Sequence, residues 1–321
     1  MRVATCAINR KSPQISIIIP VYNEAENIQQ IYTEITETLP TMNTSWEIIF
    51  VDDGSTDTTP DRLRTLPSIT IITFRRNFGQ TAALDAGIKH AQGEYIVTLD
   101  GDGQNDPADI PQLIEQLETK KLDVVSGYRK HRKDTFGKRV ASKLAWTARR
   151  IFINDGIHDS GCTLKVYRRE CFTHIDLYGE MHRFIPGILK IKGFRIGEHE
   201  VNHRQRIHGK TKYTIMRGIR GLLDMFSVWF WRKYANRPLH LFGSIGMVLI
   251  FISSITTIWV GYNKIAYNLD LSDTALTIFS MFGLLIGLQF LTFGLIADIL
   301  SKNYFATTKD EPYDIIHIEQ R

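Results

Sequence analysis

Two carboxylates and one amide follow a short apolar segment of this sequence, at a point where the chain should turn. Asp100, Asp102 and Gln104 come directly after residues 95–99, which predict a buried strand. In open α/β sheets the ligand crevice lies beyond the carboxyl ends of the strands. Carboxylates two residues apart on a turn can share a hard divalent cation, which also binds substrate phosphates. The turn therefore predicts a cation site suited to a departing diphosphate, although a solvated acidic turn would carry the same residues.

The segments around this turn predict the sheet that would hold it. Five short stretches rich in Ile and Val alternate with helical stretches, which predicts an α/β fold with a mostly parallel sheet. The strands are predicted at residues 15–20, 47–51, 70–74, 95–99 and 123–126. Polar side chains follow the first three strands, as the acidic turn follows the fourth: Tyr22, Glu24, Asp53 and Asn77. No glycine-rich phosphate loop follows the first strand, which argues against a dinucleotide or Walker-type site.

Two long segments in the last third of the chain predict membrane-spanning helices. Residues 239–262 and 275–297 contain no Asp, Glu, Lys or Arg. Each exceeds the length that crosses a ~30 Å hydrocarbon core at ~1.5 Å per residue, and a buried helix pair of a soluble protein is the alternative. Cations flank the pair, whereas the loop at 263–274 contains only Lys264. The positive-inside rule then predicts a multi-pass protein of the cell (inner) membrane with both termini in the cytoplasm.

Composition excludes few classes of function. The net charge of +5 fits an anionic partner without naming one, and we expect no nucleic-acid partner. The three cysteines form no C-x-x-C pair, which argues against a disulfide framework or a structural zinc site. Residues 1–14 are polar and predict no signal peptide.

Six short strings, taken together, resemble the family 2 glycosyltransferases of the GT-A fold. Within that family the chain looks like the polyprenyl-phosphate branch, which includes dolichyl-phosphate mannose synthase and bacterial undecaprenyl-phosphate glucosyltransferases. The resemblance implies a Rossmann-like, mostly parallel sheet. The strings are IPVYNE at 19–24, VDDGS at 51–55, RNFG at 76–79, LDGD at 99–102, DSG at 159–161 and GKTKY at 209–213.

The resemblance implies two overlapping sets of residues for the donor. A nucleotide sugar would be bound by Pro20, Tyr22, Glu24, Val51, Asp53, Asp100, Gly101, Asp102, Arg206 and Lys212. Mg²⁺ or Mn²⁺ would be held by Asp100, Asp102 and Gln104. Within the first set, Val51 and Asp53 would contact the base, and Arg206 with Lys212 would close over the phosphates. The alternatives are a turn-capping role for Asp53 and a basic surface loop for Arg206 and Lys212.

The resemblance also implies a site for the acceptor. Arg129, Arg139, Ser142 and Lys143 would bind its phosphate, although a basic segment facing anionic lipid would look the same. Asp159 and Asp102 are the expected catalytic residues. A phosphate monoester is largely ionised near neutrality, with a second pKa of about 6. We therefore expect Asp159 mainly to orient the acceptor and balance the arginines, with work as a general base secondary.

Two features leave the donor sugar open. Residues 162–165 depart from the pattern of the glucosyltransferases. Residues 180–184 place an acid, His182 and Arg183 within one turn, which could reach the donor sugar or could form a salt-bridged helix start.

These features predict four segments. Residues 1–212 would form the cytoplasmic GT-A domain, 213–238 an amphipathic juxtamembrane helix, 239–298 the two transmembrane helices, and 299–321 a cytoplasmic tail. The apolar face of the juxtamembrane helix would lie at the membrane interface or pack on the soluble domain. That face contains Ile215, Ile219, Leu222, Phe226 and Trp229.

The resemblance implies a metal-dependent, inverting transfer of a sugar from a nucleotide diphosphate to a polyprenyl phosphate. UDP-glucose with undecaprenyl phosphate is the first expectation, and GDP-mannose with a dolichol-type lipid is the second. A processive polysaccharide synthase is disfavoured, because no Q-x-x-R-W string and no further spans are present. A non-catalytic scaffold that binds nucleotide sugars is the alternative of another class. The resemblance also implies a homo-oligomer, in which the alternating residues 313–318 could pair as a strand with a neighbouring subunit.

Overall fold

The chain forms two compact units, Met1–Val228 and Trp229–Arg321. The structure is a computed structural model that describes residues 13–129, 156–173, 175, 177, 181–204, 215–234, 237–267 and 275–308. The first unit is an α/β domain, and the described residues of the second form helices.

A seven-stranded sheet forms the centre of the first unit, in the order β3-β2-β1-β4-β6-β5-β7. Among the strands of the described residues, β6 alone runs antiparallel to its neighbours, so the expected mostly parallel sheet is confirmed. The strands are β1 Ile15–Val21, β2 Trp46–Asp52, β3 Thr70–Thr73, β4 Tyr95–Thr98, β5 Val124–Tyr128, β6 Lys165–Arg168 and β7 Ile196–Glu200. The sequence patterns did not predict β6 and β7, because both are short and rich in polar residues.

Helices cover both faces of this sheet. They are α1 Ile28–Thr38, α2 Thr59–Arg64, α3 Gln80–His90, α4 Ile110–Thr119 and α5 Ile185–Ile191. Ile17 and Ile19 of β1 pack into a cluster with α1 and α4, whereas Ile18 packs with α3 and α5 on the opposite face. Successive strand residues point to opposite faces, so a strand that is apolar throughout is buried between two helical layers.

Helix α6, Ile215–Tyr234, packs against Phe184 through residues that are not part of the expected apolar face. Met225 and Val228 are buried against Phe184. Phe226, which belongs to the expected apolar face, is 51% exposed. The side chains of residues 215–222 lie outside the described part of the chain. Whether the expected face lies at the membrane interface or on the soluble domain therefore stays a prediction.

Two long apolar helices make up most of the second unit. They are α7 Pro238–Tyr267 and α8 Ala275–Thr308, and both are long and apolar enough to cross a membrane. They approach closely at Gly246, where a Cβ atom would lie 2.6 Å from the carbonyl oxygen of Gly287. Small residues permit such close packing between membrane helices. Ile258 and Phe279 are each 72% exposed, a surface that suits lipid better than water.

Candidate active site

The acidic turn after β4 has a backbone that requires glycine at two positions. Gly103 has φ of 70°, in the left-handed region. Gly101 lies against the end of β1, where a Cβ atom would be only 2.6 Å from Val21 Cγ1. The backbone N–H of Gln104 donates to Asp102 Oδ1 at 3.1 Å and tightens the turn. The two glycines thus allow both carboxylates to lie at the carboxyl edge of the sheet.

The electrostatics of this turn fit a bound cation. Burial and the neighbouring Asp102 raise the pKa of Asp100 to about 6, whereas a hydrogen bond from Thr163 and the charges of Lys165 and Arg129 lower it. A divalent cation beside these two carboxylates would offset the unfavourable charge of Asp100. In the described residues no three His, Cys, Asp or Glu side chains form a metal cluster. The site thus resembles one for Mg²⁺ or Mn²⁺ that also needs substrate and water oxygens, to which the amide of Gln104 could add.

Asp159 forms a buried ion pair with Arg129. The guanidinium donates through Nε to Asp159 Oδ2 at 2.5 Å and through Nη2 to Oδ1 at 2.9 Å. The backbone N–H of Gly161 also donates to Oδ1, at 3.1 Å. Arg129 is close enough to Asp100 to lower the pKa of that carboxyl group. The expected catalytic and acceptor-binding residues therefore meet beside the acidic turn, whereas Arg139, Ser142 and Lys143 lie outside the described residues.

Asp53 is buried and holds the turn that precedes α3. Its two carboxylate oxygens accept hydrogen bonds from the backbone N–H groups of Phe78, at 2.7 Å, and Gly79, at 2.9 Å. Burial raises the pKa of Asp53, and these two hydrogen bonds lower it. The geometry fits the turn-capping alternative. It also leaves two of the about four lone-pair positions of the carboxylate for a ligand, so the expected contact with the base stays a prediction.

The other residues expected around the nucleotide lie at the carboxyl ends of β1 and β2. The side chain of Val51 is fully buried in the core, so only its backbone could contact a base. The carbonyl oxygen of Pro20 lies beside Gly101. Tyr22 is half-buried. Glu24 accepts a hydrogen bond from Asn27 Nδ2 at 2.6 Å.

Arg204 contacts the acidic turn, and the segment that contains Arg206 and Lys212 follows it directly in the chain. Its backbone N–H donates to the carbonyl oxygen of Gln104 at 2.9 Å. Its guanidinium pairs with Glu34 Oε1 at 2.7 Å and with Asp106 Oδ2 at 2.8 Å. Arg206 and Lys212 lie outside the described residues, and their expected place over the phosphates stays a prediction. The chain nevertheless passes beside the turn two residues before Arg206.

The sequence patterns gave no role to Gln80, Thr81 and Lys165, which the structure brings to this site. Gln80 Nε2 donates to Asp100 Oδ1 at 2.7 Å, and Thr81 Oγ1 lies 2.7 Å from Nδ1 of the buried His182. Lys165 is buried, and its Nζ donates to the carbonyl oxygen of Cys162. The departure from the family pattern at residues 162–165 was the available signal for Lys165. For Gln80, the first residue of α3, the available signal was its position directly after the RNFG string.

We expect Arg204→Gln to raise the KM for the nucleotide sugar by roughly 10-fold, because small displacements of binding groups are costly. Glu34→Gln should raise this KM by a smaller factor, since it removes one of the two carboxylates that pair with Arg204. Steady-state kinetics with the donor varied at saturating lipid would measure both. Asp61→Asn is the matched control, because Asp61 forms an exposed ion pair with Arg64. An unchanged donor KM in Arg204→Gln would contradict this role.

Comparisons with known proteins identify the family of this chain. Residues 16–175 match the family model described as glycosyl transferase family 2. The chain is 36% identical over 319 residues to dodecaprenyl-phosphate galacturonate synthase of Rhizobium johnstonii, covering 96% of this chain and 94% of the relative. It is 30% identical over 311 residues to undecaprenyl-phosphate 4-deoxy-4-formamido-L-arabinose transferase of Aeromonas hydrophila, covering 94% and 93%.

A solved structure shows the same fold. Glucosyl-3-phosphoglycerate synthase from Mycobacterium tuberculosis, in complex with Mn²⁺, UDP-glucose and phosphoglyceric acid, superposes with a TM-score of 0.55. Its sequence is 19% identical, and the match covers 68% of this chain and 79% of that one. The expected GT-A fold is therefore confirmed. The chain belongs to glycosyl transferase family 2, in the branch whose members transfer sugars to polyprenyl phosphates.

Proposed function

We propose that this protein transfers a sugar from a nucleotide diphosphate to a polyprenyl phosphate at the cytoplasmic face of the membrane, with inversion at the anomeric carbon. The observation that carries this proposal is the half-buried pair of Asp100 and Asp102 beside the Arg129–Asp159 ion pair. The first pair suits a cation on a leaving diphosphate. The second pair offers a place for the phosphate of the acceptor.

Each part of the site has a separate task in this proposal. Asp100 and Asp102, with Gln104, would hold Mg²⁺ or Mn²⁺, which supplies positive charge to the leaving diphosphate. Arg206 and Lys212 would add further positive charge there. Arg129 and Asp159 orient the acceptor, and the ionised monoester oxygen of the lipid attacks the anomeric carbon in line. Because this nucleophile is already an anion near neutral pH, it needs little help from a base.

The relatives support the type of reaction more strongly than the identity of the donor sugar. The relatives named above act on galacturonate and on a formamido-arabinose, so they do not support glucose specifically. We propose a uridine diphosphate hexuronate as the first donor to test, because the 36% identical relative is named for galacturonate. UDP-glucose and GDP-mannose are the two donors to test beside it.

A membrane location is part of the same proposal. The acceptor has a hydrocarbon chain, and α7 with α8 would anchor the protein in the cell membrane where that lipid lies. The cytoplasmic placement of both termini follows from the flanking cations and stays a prediction, as does the homo-oligomer. Residues 313–318 of the tail lie outside the described part of the chain.

We expect metal-dependent transfer when the full-length protein is incubated with radiolabelled nucleotide sugars and undecaprenyl phosphate. Label should enter the lipid extract from one UDP-sugar, disappear with a chelator, and return when Mn²⁺ or Mg²⁺ is added in excess. A reaction without lipid is the control. Tight binding of a nucleotide sugar without transfer to any polyprenyl phosphate would instead support the scaffold.

A further inference from the structure

Helix α3 begins at the acidic turn and contributes one direct contact to it. Gln80 is the first residue of α3, and its Nε2 donates to Asp100 Oδ1 at 2.7 Å. An ionised carboxylate only accepts hydrogen bonds, so the amide group that faces it must be the NH₂. Asp100 also accepts a hydrogen bond from the side chain of Thr163, which precedes β6. Two donors from different elements therefore hold this one carboxylate.

The residues on either side of Gln80 are anchored as well. The backbone N–H of Gly79 donates to Asp53 Oδ2 at 2.9 Å. On the other side, Thr81 Oγ1 lies 2.7 Å from His182 Nδ1 in a buried contact. Arg183 Nε donates to His182 Nε2 at 3.4 Å, so the imidazole is contacted at both ring nitrogens. Because both neighbours are held, Gln80 presents its amide from a fixed backbone.

We propose that Gln80 is a positioning residue for the divalent cation. This inference rests on the proposed function, and it adds a residue that acts through Asp100. Gln80 and Thr163 occupy two of the about four lone-pair positions of Asp100, which leaves the others for a cation shared with Asp102. Partners that orient a ligating carboxylate typically change metal affinity by about 10- to 100-fold when they are removed.

The test measures cation binding directly on the full-length protein. Mn²⁺ is titrated into the UDP-saturated protein, and free Mn²⁺ is followed by electron paramagnetic resonance, with a protein-free UDP blank subtracted. Gln80→Met has a similar length but no donor, and Gln80→Asn keeps the donor but loses the reach. We expect both variants to raise the Kd for Mn²⁺ by about 10- to 100-fold. Gln29→Ala, an exposed glutamine on α1, is the matched control and should leave the Kd unchanged.

The outcomes separate this assignment from the proposed function. If wild type binds Mn²⁺ and both Gln80 variants bind it equally well, the role of Gln80 is overturned while the metal-dependent transfer stands. If wild type binds no Mn²⁺ beyond the blank, both are overturned. Melting temperatures of the metal-free variants, measured alongside, should stay close to wild type. A weaker Kd accompanied by a collapse of the fold would argue for a structural role instead.

Discussion

Asp100→Asn is expected to remove most of the transferase activity and, in the metal-free protein, to raise the melting temperature. The activity should fall by about 10²–10³-fold, because one of two carboxylates that would hold charge against the leaving diphosphate is lost. The gain in stability has a separate cause. Burial and the adjacent Asp102 raise the pKa of Asp100 to about 6, so its charged form is disfavoured in the folded protein. Asparagine has nearly the same shape without the charge.

The pH dependence of stability determines the direction in which Asp100→Asn changes the melting temperature. The pKa of Asp100 in the folded protein lies above its ordinary value of 3.8, so the folded state binds the proton more tightly than the unfolded state. The stability that this group contributes is present below about pH 4 and is lost as the pH rises through about 6. The melting temperature of Asp100→Asn should therefore exceed that of wild type by a margin that grows from about pH 4 to pH 6 and then stays nearly level to pH 7.

Thermal denaturation in chelator across that pH range, beside transfer assays at pH 7, would check both effects. A difference of a few degrees is expected at neutral pH for a domain of this size. Added Mn²⁺ should narrow or reverse the difference, because a bound cation stabilises only the carboxylate form. Asp61→Asn, on the exposed ion pair with Arg64, should change neither quantity. Equal melting curves at every pH would show that Asp100 carries no unfavourable charge.

Asp159→Asn is expected to reduce transfer by roughly 10- to 100-fold, and a higher pH should not restore it. The carboxylate oxygens of Asp159 already accept hydrogen bonds from Nε and Nη2 of Arg129 and from the N–H of Gly161, which suits an orienting role better than proton abstraction. Its loss should instead release Arg129, so the KM for polyprenyl phosphate should rise. A general base typically contributes about 10²–10⁴-fold, and its loss would give a pH-dependent defect. Complete pH profiles of kcat and of kcat/KM for the lipid would distinguish the two roles.

Asp159→Ala tests the structural side of the same pair. It leaves a buried guanidinium without its partner, and breaking a buried pair in this way typically costs about 3–5 kcal/mol. We therefore expect Asp159→Ala to melt at a clearly lower temperature than Asp159→Asn. Glu118→Gln provides a control, since Glu118 pairs with Arg168 away from the acidic turn. A large defect in Asp159→Asn that disappears as the pH rises would contradict the orienting role and favour a base.

Local patterns were sufficient for most of the sheet. The buried strands β1, β2, β4 and β5 are short runs of Ile, Val and aromatic residues, and such runs are apolar because both faces of a parallel sheet are covered. The sequence patterns missed β6 because Lys165 and Arg168 flank its apolar pair, and they missed β7 because it has only one large apolar residue. Their places depend on hydrogen bonds to β4 and β5, which are distant in the chain, and no local pattern records such a pairing.

The sequence by itself determined which chemical groups follow the strands, and it predicted two apolar spans from composition alone. Both results depend on the order of residues within a single segment. Only the tertiary structure decided the partners of those groups: Arg129 on Asp159, the amides of residues 78 and 79 on Asp53, and Gln80 on Asp100. A carboxylate can accept from any donor that packing brings within about 3 Å, and the order of strands in the sheet, which no single segment encodes, selects that donor.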